Sequence, residues 1–281
     1  MIGVTVVAAV IRFTSLGAQS CDIGELFTVR LVRMPFGEML RSVVDTEGTP
    51  HLYYVVAWVY ARLFGTGEIG LRSLSALLGT VTVPIVHLAA RTMAGRRVAV
   101  VAAALAAFNP LLVVTAQSVR AYALAVPLAA ASLLFLAQSL ARPEGNAPRR
   151  LSAAVRAGLA THYSFVFLWL PQAVFLAGRR AGGNAAVGPL LAPALVALLL
   201  APVAVQQVRN PAADIARDPL VIRLVQIPKN PLVGFNMPAE AWLSLAACAC
   251  AAIALVELLV RAPRVSVGEP SSCRRSWPPP Q

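Results

Sequence analysis

The sequence predicts an all-α integral membrane protein of about eight transmembrane helices, two of them short, with a large first extracytoplasmic loop carrying interfacial helices. Three observations predict it. The 281 residues are 58% hydrophobic and only 13% charged, with a mean hydropathy of +0.71, too apolar for an ordinary soluble domain. Apolar runs long enough to cross a bilayer recur at 73–93, 98–114, 121–141, 187–205 and 242–260. Basic residues collect in the short segments between these runs, as cytoplasmic loops do.

The opening run "MIGVTVVAAVIRF" is short for a span of about 20 residues. It has no basic n-region and no A-x-A cleavage site, so it reads as the end of a first helix rather than a signal peptide. Residues 52–64, "LYYVVAWVYARLF", are bounded by Pro50 and Gly65. They are too short to cross and rich in Tyr and Trp, which predicts a helix lying at the membrane surface. The run 151–178 carries "THY" at its centre and arginines at both ends. It is expected to form two short helices meeting at 161–163. Residues 1–260 form one membrane domain on this reading, and the Pro/Ser/Arg-rich stretch 261–281 is a disordered cytoplasmic tail.

Orientation follows from charge. The basic segments "RTMAGRR" (91–97), "RPEGNAPRR" (142–150), "GRR" (178–180) and the chain after Arg261 go to the cytoplasm. The other face then receives 14–72, 115–120, 161–163 and 206–241, which hold nine of the twelve acids. The formal charge of +12 is spread between apolar runs and lacks the basic, aromatic-studded face of a nucleic-acid binder, so no nucleic acid is expected as partner. Cys21, Cys248, Cys250 and Cys273 lack metal-ligand spacing and read as small apolar packing. No H-E-x-x-H or EF-hand loop is present. A divalent ion is conceivable beside the acids but unsupported, and no cofactor is identified.

The chemistry-bearing residues on the acid-rich face are Asp22, Glu25, Asp45, Glu47, His51, Glu68, Arg72, Gln117, Arg120, Tyr122, His162 and Tyr163. Ionisable groups beside hydrocarbon are costly unless paired or hydrated, so their convergence favours a functional cavity over simple interfacial hydration. For each residue taken alone the bland reading is as good: an ion pair for Arg72 or Arg120, a backbone bond for His162.

The ordered motifs "AQSCDIGELFTVRL" (18–31), "GTPHLYY" (48–54), "LFGTGEIGLRSLSALLGTVTVP" (63–84), "FNPLLVVTAQSVRAYAL" (108–124) and "ATHYSFVFL" (160–168) resemble the GT-C membrane glycosyltransferases. The likeness is to the bacterial mannosyltransferase-like branch related to protein O-mannosyltransferases and the aminoarabinose transferase, and it covers about residues 8–180. The resemblance implies a polyprenyl-phosphate-linked sugar as donor and a glycan, lipid or protein as acceptor. It also implies inverting transfer at the outer face of a bacterial plasma membrane. Glu25 and Asp22 are then the catalytic acid candidates, since a carboxylate can take the proton of an attacking hydroxyl. Arg72 and Arg120 match arginines suited to donor phosphate, and Gln117, Tyr122, His162, Tyr163 and Tyr53 line the site.

The sequence also departs from that pattern. Gly24 stands where the resemblance places the base, and Asp22 lies two residues early. On a helix that offset turns a side chain by about 200°, which argues against simple replacement. Ser118 stands where the family has Glu, His51 replaces the second proline of the usual "PPLYY", and the family continues through more helices. A truncated or impaired transferase is therefore included in the reading. The alternatives are a non-catalytic protein that binds lipid phosphate or a partner, and a small-solute transporter, against which the absence of an internal repeat argues.

Overall fold

The computed structural model describes residues 1–14, 16–17, 22–142, 145–178 and 187–208. All regular structure among them is helical. In chain order the helices are α1 (Ile2–Phe13), α2 (Ile23–Arg33), α3 (Phe36–Thr46), α4 (Leu52–Phe64), α5 (Glu68–Phe108), α6 (Pro110–Thr115), α7 (Tyr122–Ala141), α8 (Ala147–Thr161), α9 (Val166–Gly178) and α10 (Val187–Val208), with a 3-10 turn at Tyr163–Phe165. The run at 242–260, the tail 261–281 and all four cysteines lie outside the described residues.

The helix ends follow local chemistry. Pro35 directly precedes α3, and α4 stops at Gly65, whose φ of +86° is a left-handed value that costs glycine little. The apolar run expected at 98–114 is cut in two, because Asn109 takes an extended conformation before Pro110 and caps Leu112 N–H at 3.1 Å. Above it, Gly95 (φ +86°) breaks α5 into two helices joined end to end. The meeting of two short helices at 161–163 is borne out: α8 ends at Thr161, His162 is extended, and the 3-10 turn leads into α9.

Two of the described helices, α5 and α7, are long and apolar enough to cross a membrane. The segments 2–13, 52–64, 163–177 and 191–207 are apolar but shorter, so the described residues support two candidate spans and leave the count of eight unestablished. α5 packs against α1 and α7, α7 against α8, and α8 against α10. Large apolar side chains such as Leu105, Phe108, Leu133, Phe167, Val174, Leu198 and Leu199 point outward, a pattern suited to hydrocarbon rather than water. A separate core of Leu31, Val32, Met39, Val43, Tyr53, Ala57, Leu71 and Val119 joins α2, α3 and α4 to the start of α5 and the 116–121 turn. The long segment before α5 is thus a folded, three-helix cap on one end of the bundle.

Candidate active site

The acid pair of "DIGE" forms a reciprocal cap. Asp22 is the N-cap of α2 and accepts from Glu25 N–H at 2.7 Å, while Asp22 N–H donates to the Glu25 carboxylate at 3.2 Å. Two backbone donors left over at a helix start are satisfied together, and both negative groups sit at the positive end of the helix dipole.

Glu25 is 3% exposed and its carboxylate is saturated. Oε1 accepts from Arg72 Nε at 3.1 Å and from Val119 N–H at 2.9 Å; Oε2 accepts from Arg72 Nη2 at 2.7 Å as well as from Asp22 N–H. Arg72 Nη1 in turn donates to Leu16 O at 2.8 Å and lies 4.0 Å from Glu68. This paired charge-assisted geometry is the strong form of a carboxylate–guanidinium contact. It ties the start of α2, the start of α5 and the 116–121 turn into one joint. Burial alone would raise the carboxyl pKa, but the bonds from Arg72, Val119 and Asp22 more than offset it and hold Glu25 below the usual carboxylate range.

Gly24, between the two acids, is where the chain makes room. A Cβ built there would coincide with Nη1 of Arg120 and stand 3.2 Å from Asp22 Oδ1. The half-buried Arg120 guanidinium therefore lies over the first turn of α2, in the space a side chain at residue 24 would take. It has no hydrogen-bond or ion-pair partner among the described residues. The helical two-residue offset does not apply to Asp22, because an N-cap residue is outside the helix: its backbone is extended (φ −74°, ψ 165°). Its carboxylate folds back over the first turn, next to residue 24, and the residue is exposed.

The other expected residues divide. Tyr122 and His162 meet with ring centroids 4.9 Å apart, and the His162 pKa is lowered by burial and by the charge of Arg120. His162 Nδ1 accepts from Ser164 N–H at 3.2 Å. Tyr53 is fully buried, and its phenol is pushed up by burial while Arg120 acts in the opposite sense. Gln117 and Tyr163 are engaged elsewhere. Gln117 Nε2 donates to Ile11 O at 3.1 Å, fixing the end of α1, and Tyr163 OH donates to Gln207 Oε1 at 2.7 Å.

Glu47 was among the expected residues, whereas Gln207 and Arg12 escaped the sequence reading. Glu47 is 8% exposed and accepts from Tyr54 OH at 2.7 Å; burial raises its pKa, with Tyr54 and Arg120 opposing. Gln207 on α10 donates to Val43 O and Thr49 O at 3.0 and 3.1 Å, anchoring the cap. Arg12 is 1% exposed and donates to Ala8 O, Ala106 O and Ala107 O. It satisfies carbonyls at the C-terminal end of α5, where a cation is favoured. A lone arginine inside "VVAAVIRF" was the available signal. Among the described residues no three His, Cys, Asp or Glu side chains cluster as a metal site.

Residues 48–205, more than half of the chain, match the family of dolichyl-phosphate-mannose-protein mannosyltransferases. The chain belongs to that family. It is therefore a membrane protein of a GT-C-type glycosyltransferase family, as its apolar helices accord with. The matched segment contains Tyr53, Arg72, Gln117, Arg120, Tyr122, His162 and Tyr163, whereas Asp22 and Glu25 precede it. Comparison with curated proteins gives no significant match.

Proposed function

We propose that this mannosyltransferase-family member moves a sugar from a polyprenyl-phosphate donor to an acceptor hydroxyl at the extracytoplasmic face, where the α2–α4 cap lies. The observation that carries the reading is the Arg120 guanidinium, without a hydrogen-bond or ion-pair partner among the described residues, lying over Gly24 beside the exposed residue Asp22. A cation waiting for an anion and an accessible base stand side by side, as transfer from a phosphate requires.

In this reading the acceptor oxygen attacks the anomeric carbon as its proton passes to Asp22. The bond from that carbon to the phosphate oxygen breaks with its electron pair on oxygen, and Arg120 stabilises the leaving phosphate. Attack opposite the leaving group inverts the anomeric centre. Glu25, with all its lone pairs engaged, holds the site rather than taking the proton. Arg72 serves as its counter-ion, so donor phosphate falls to Arg120, with His162 and Tyr122 shaping the same side.

The test uses purified protein with polyprenyl-phosphate mannose and a hydroxyl acceptor. Asp22→Asn keeps an excellent N-cap residue, so its melting temperature is expected to stay near wild type while transfer falls about 10²- to 10⁴-fold. Undiminished transfer by Asp22→Asn would remove Asp22 as base. A wild-type protein that binds polyprenyl phosphate yet never transfers would favour the non-catalytic alternative.

A further inference from the structure

A second feature lies at the far end of the bundle. From Arg72 to Thr92 along α5, and from Tyr122 to Ala141 along α7, each path covers about 20 residues, or roughly 30 Å of helix. That end carries Arg91, Arg96, Arg97, Arg142, Arg149 and Arg150, all exposed. None of their guanidinium groups has a hydrogen-bond or ion-pair partner among the described residues.

Two cavities adjoin there. One, of about 590 Å³, is lined by Thr92, Gln138, Arg142, Asn146 and Arg150. The other, of about 640 Å³, is apolar, with Met93, Leu133, Leu136, Leu140, Leu168 and Phe175 in its walls. They share Thr92 and Ala141, so a basic pocket opens directly onto a greasy groove between α5, α7 and α9. The start of α8 adds to the positive field. Asn146 makes no side-chain cap, Pro148 lacks an N–H, and the first turn holds no acid, although arginines at 149 and 150 sit near the positive end of the helix dipole. That arrangement is electrostatically unfavourable until an anion arrives.

We propose that this paired cavity binds one anionic glycerophospholipid of the surrounding bilayer. Its headgroup phosphate lies between Arg142 and Arg150, and an acyl chain lies in the α5–α7–α9 groove. The occupant follows from charge and shape together: a free phosphate would leave the groove empty, and a neutral lipid would bring no net charge to meet the two arginines, which no other described residue pairs. Basic pockets between membrane helices suit anionic headgroups for this reason. The site does not depend on the transfer reaction.

The experiment is lipid retention by delipidated full-length protein in neutral detergent, read by native mass spectrometry and by melting temperature. The lipids are phosphatidylglycerol and phosphatidylcholine of equal chain length. Phosphatidylglycerol is expected to be retained about tenfold or more over phosphatidylcholine and to raise the melting temperature. The double variant Arg142→Gln/Arg150→Gln should melt like wild type without lipid and lose that preference. The control Arg96→Gln/Arg97→Gln removes the same charge outside the pocket and should keep it. Equal retention of the two lipids, equal loss in both variants, or the same stabilisation by inorganic phosphate alone would each overturn the proposal.

Discussion

The two ends of this helical bundle use arginine in opposite ways. Beneath the α2–α4 cap, Arg72 is buried and bonded through each of its guanidinium nitrogens, and Arg12 is spent on backbone carbonyls. At the far end six of the described arginines stand in the open. Arg120 is intermediate: half-buried, beside acids, and unbonded among the described residues. The difference teaches that an arginine's role here is set by what its surroundings leave unsatisfied. A saturated guanidinium builds structure, and one held in place without a partner is available to a ligand.

The sharpest way to break the comparison is to remove Arg72. Arg72→Leu leaves the Glu25 carboxylate buried without its cation, which is expected to cost about 3–5 kcal/mol. Arg149→Gln at the open end should stay within about 0.5 kcal/mol of wild type. Thermal melting in detergent distinguishes the two, and equal losses would mean that the Glu25–Arg72 joint holds little together.

Arg120 should show the converse profile, large in activity and small in stability. Arg120→Ala is expected to lower transfer about 10²-fold, the scale for losing one charge-stabilising donor, with little change in melting temperature. Gly24→Asp places a carboxylate against the same guanidinium. The flexible side chain shifts and pairs with it, and transfer should fall by about tenfold, equivalent to ~1.4 kcal/mol. If Gly24→Asp instead raises transfer, the base belongs at residue 24 and Asp22 is a cap alone.

The smallest effects are pH slopes, which separate two buried carboxylates within the cap. Glu25 has a lowered folded pKa, so its contribution to stability is present above the unfolded value of about 4.3 and is lost as pH falls through the folded value. Glu47 has a raised folded pKa. Its contribution is present below about 4.3 and is lost as pH rises through its folded value. Melting temperatures across the acid range should therefore change less on acidification in Glu25→Gln than in wild type. Glu47→Gln should gain relative to wild type as pH rises. Parallel curves for the two variants would contradict the assignment of opposite environments.

Much of this architecture was legible locally. Helix α4 begins and ends where Pro50, Gly65 and the aromatic run indicate, and the break at 161–163 falls where "THY" interrupts an apolar stretch. The D-x-x-E spacing of Asp22 and Glu25 is itself a capping-box signature, though the family resemblance drew the reading toward catalysis. The cut at Asn109 was written in the sequence as Asn-Pro, but the strong hydropathy of 98–114 masked it.

What the sequence by itself determined is the class of the protein and several of its helical segments, with the positions of its acids and arginines along the chain. These depend on apolar run length, breakers and charge spacing, all of which act over a few neighbouring residues. Only the tertiary structure decided which charges are spent. Glu25 meets Arg72 across 47 residues and Val119 across 94, and Arg12 reaches Ala107 across 95. That Arg120 occupies the space Gly24 leaves is likewise a contact between distant segments. Such pairings arise when distant helices pack and exclude water, since a buried charge must then be met by whichever groups the fold brings to it.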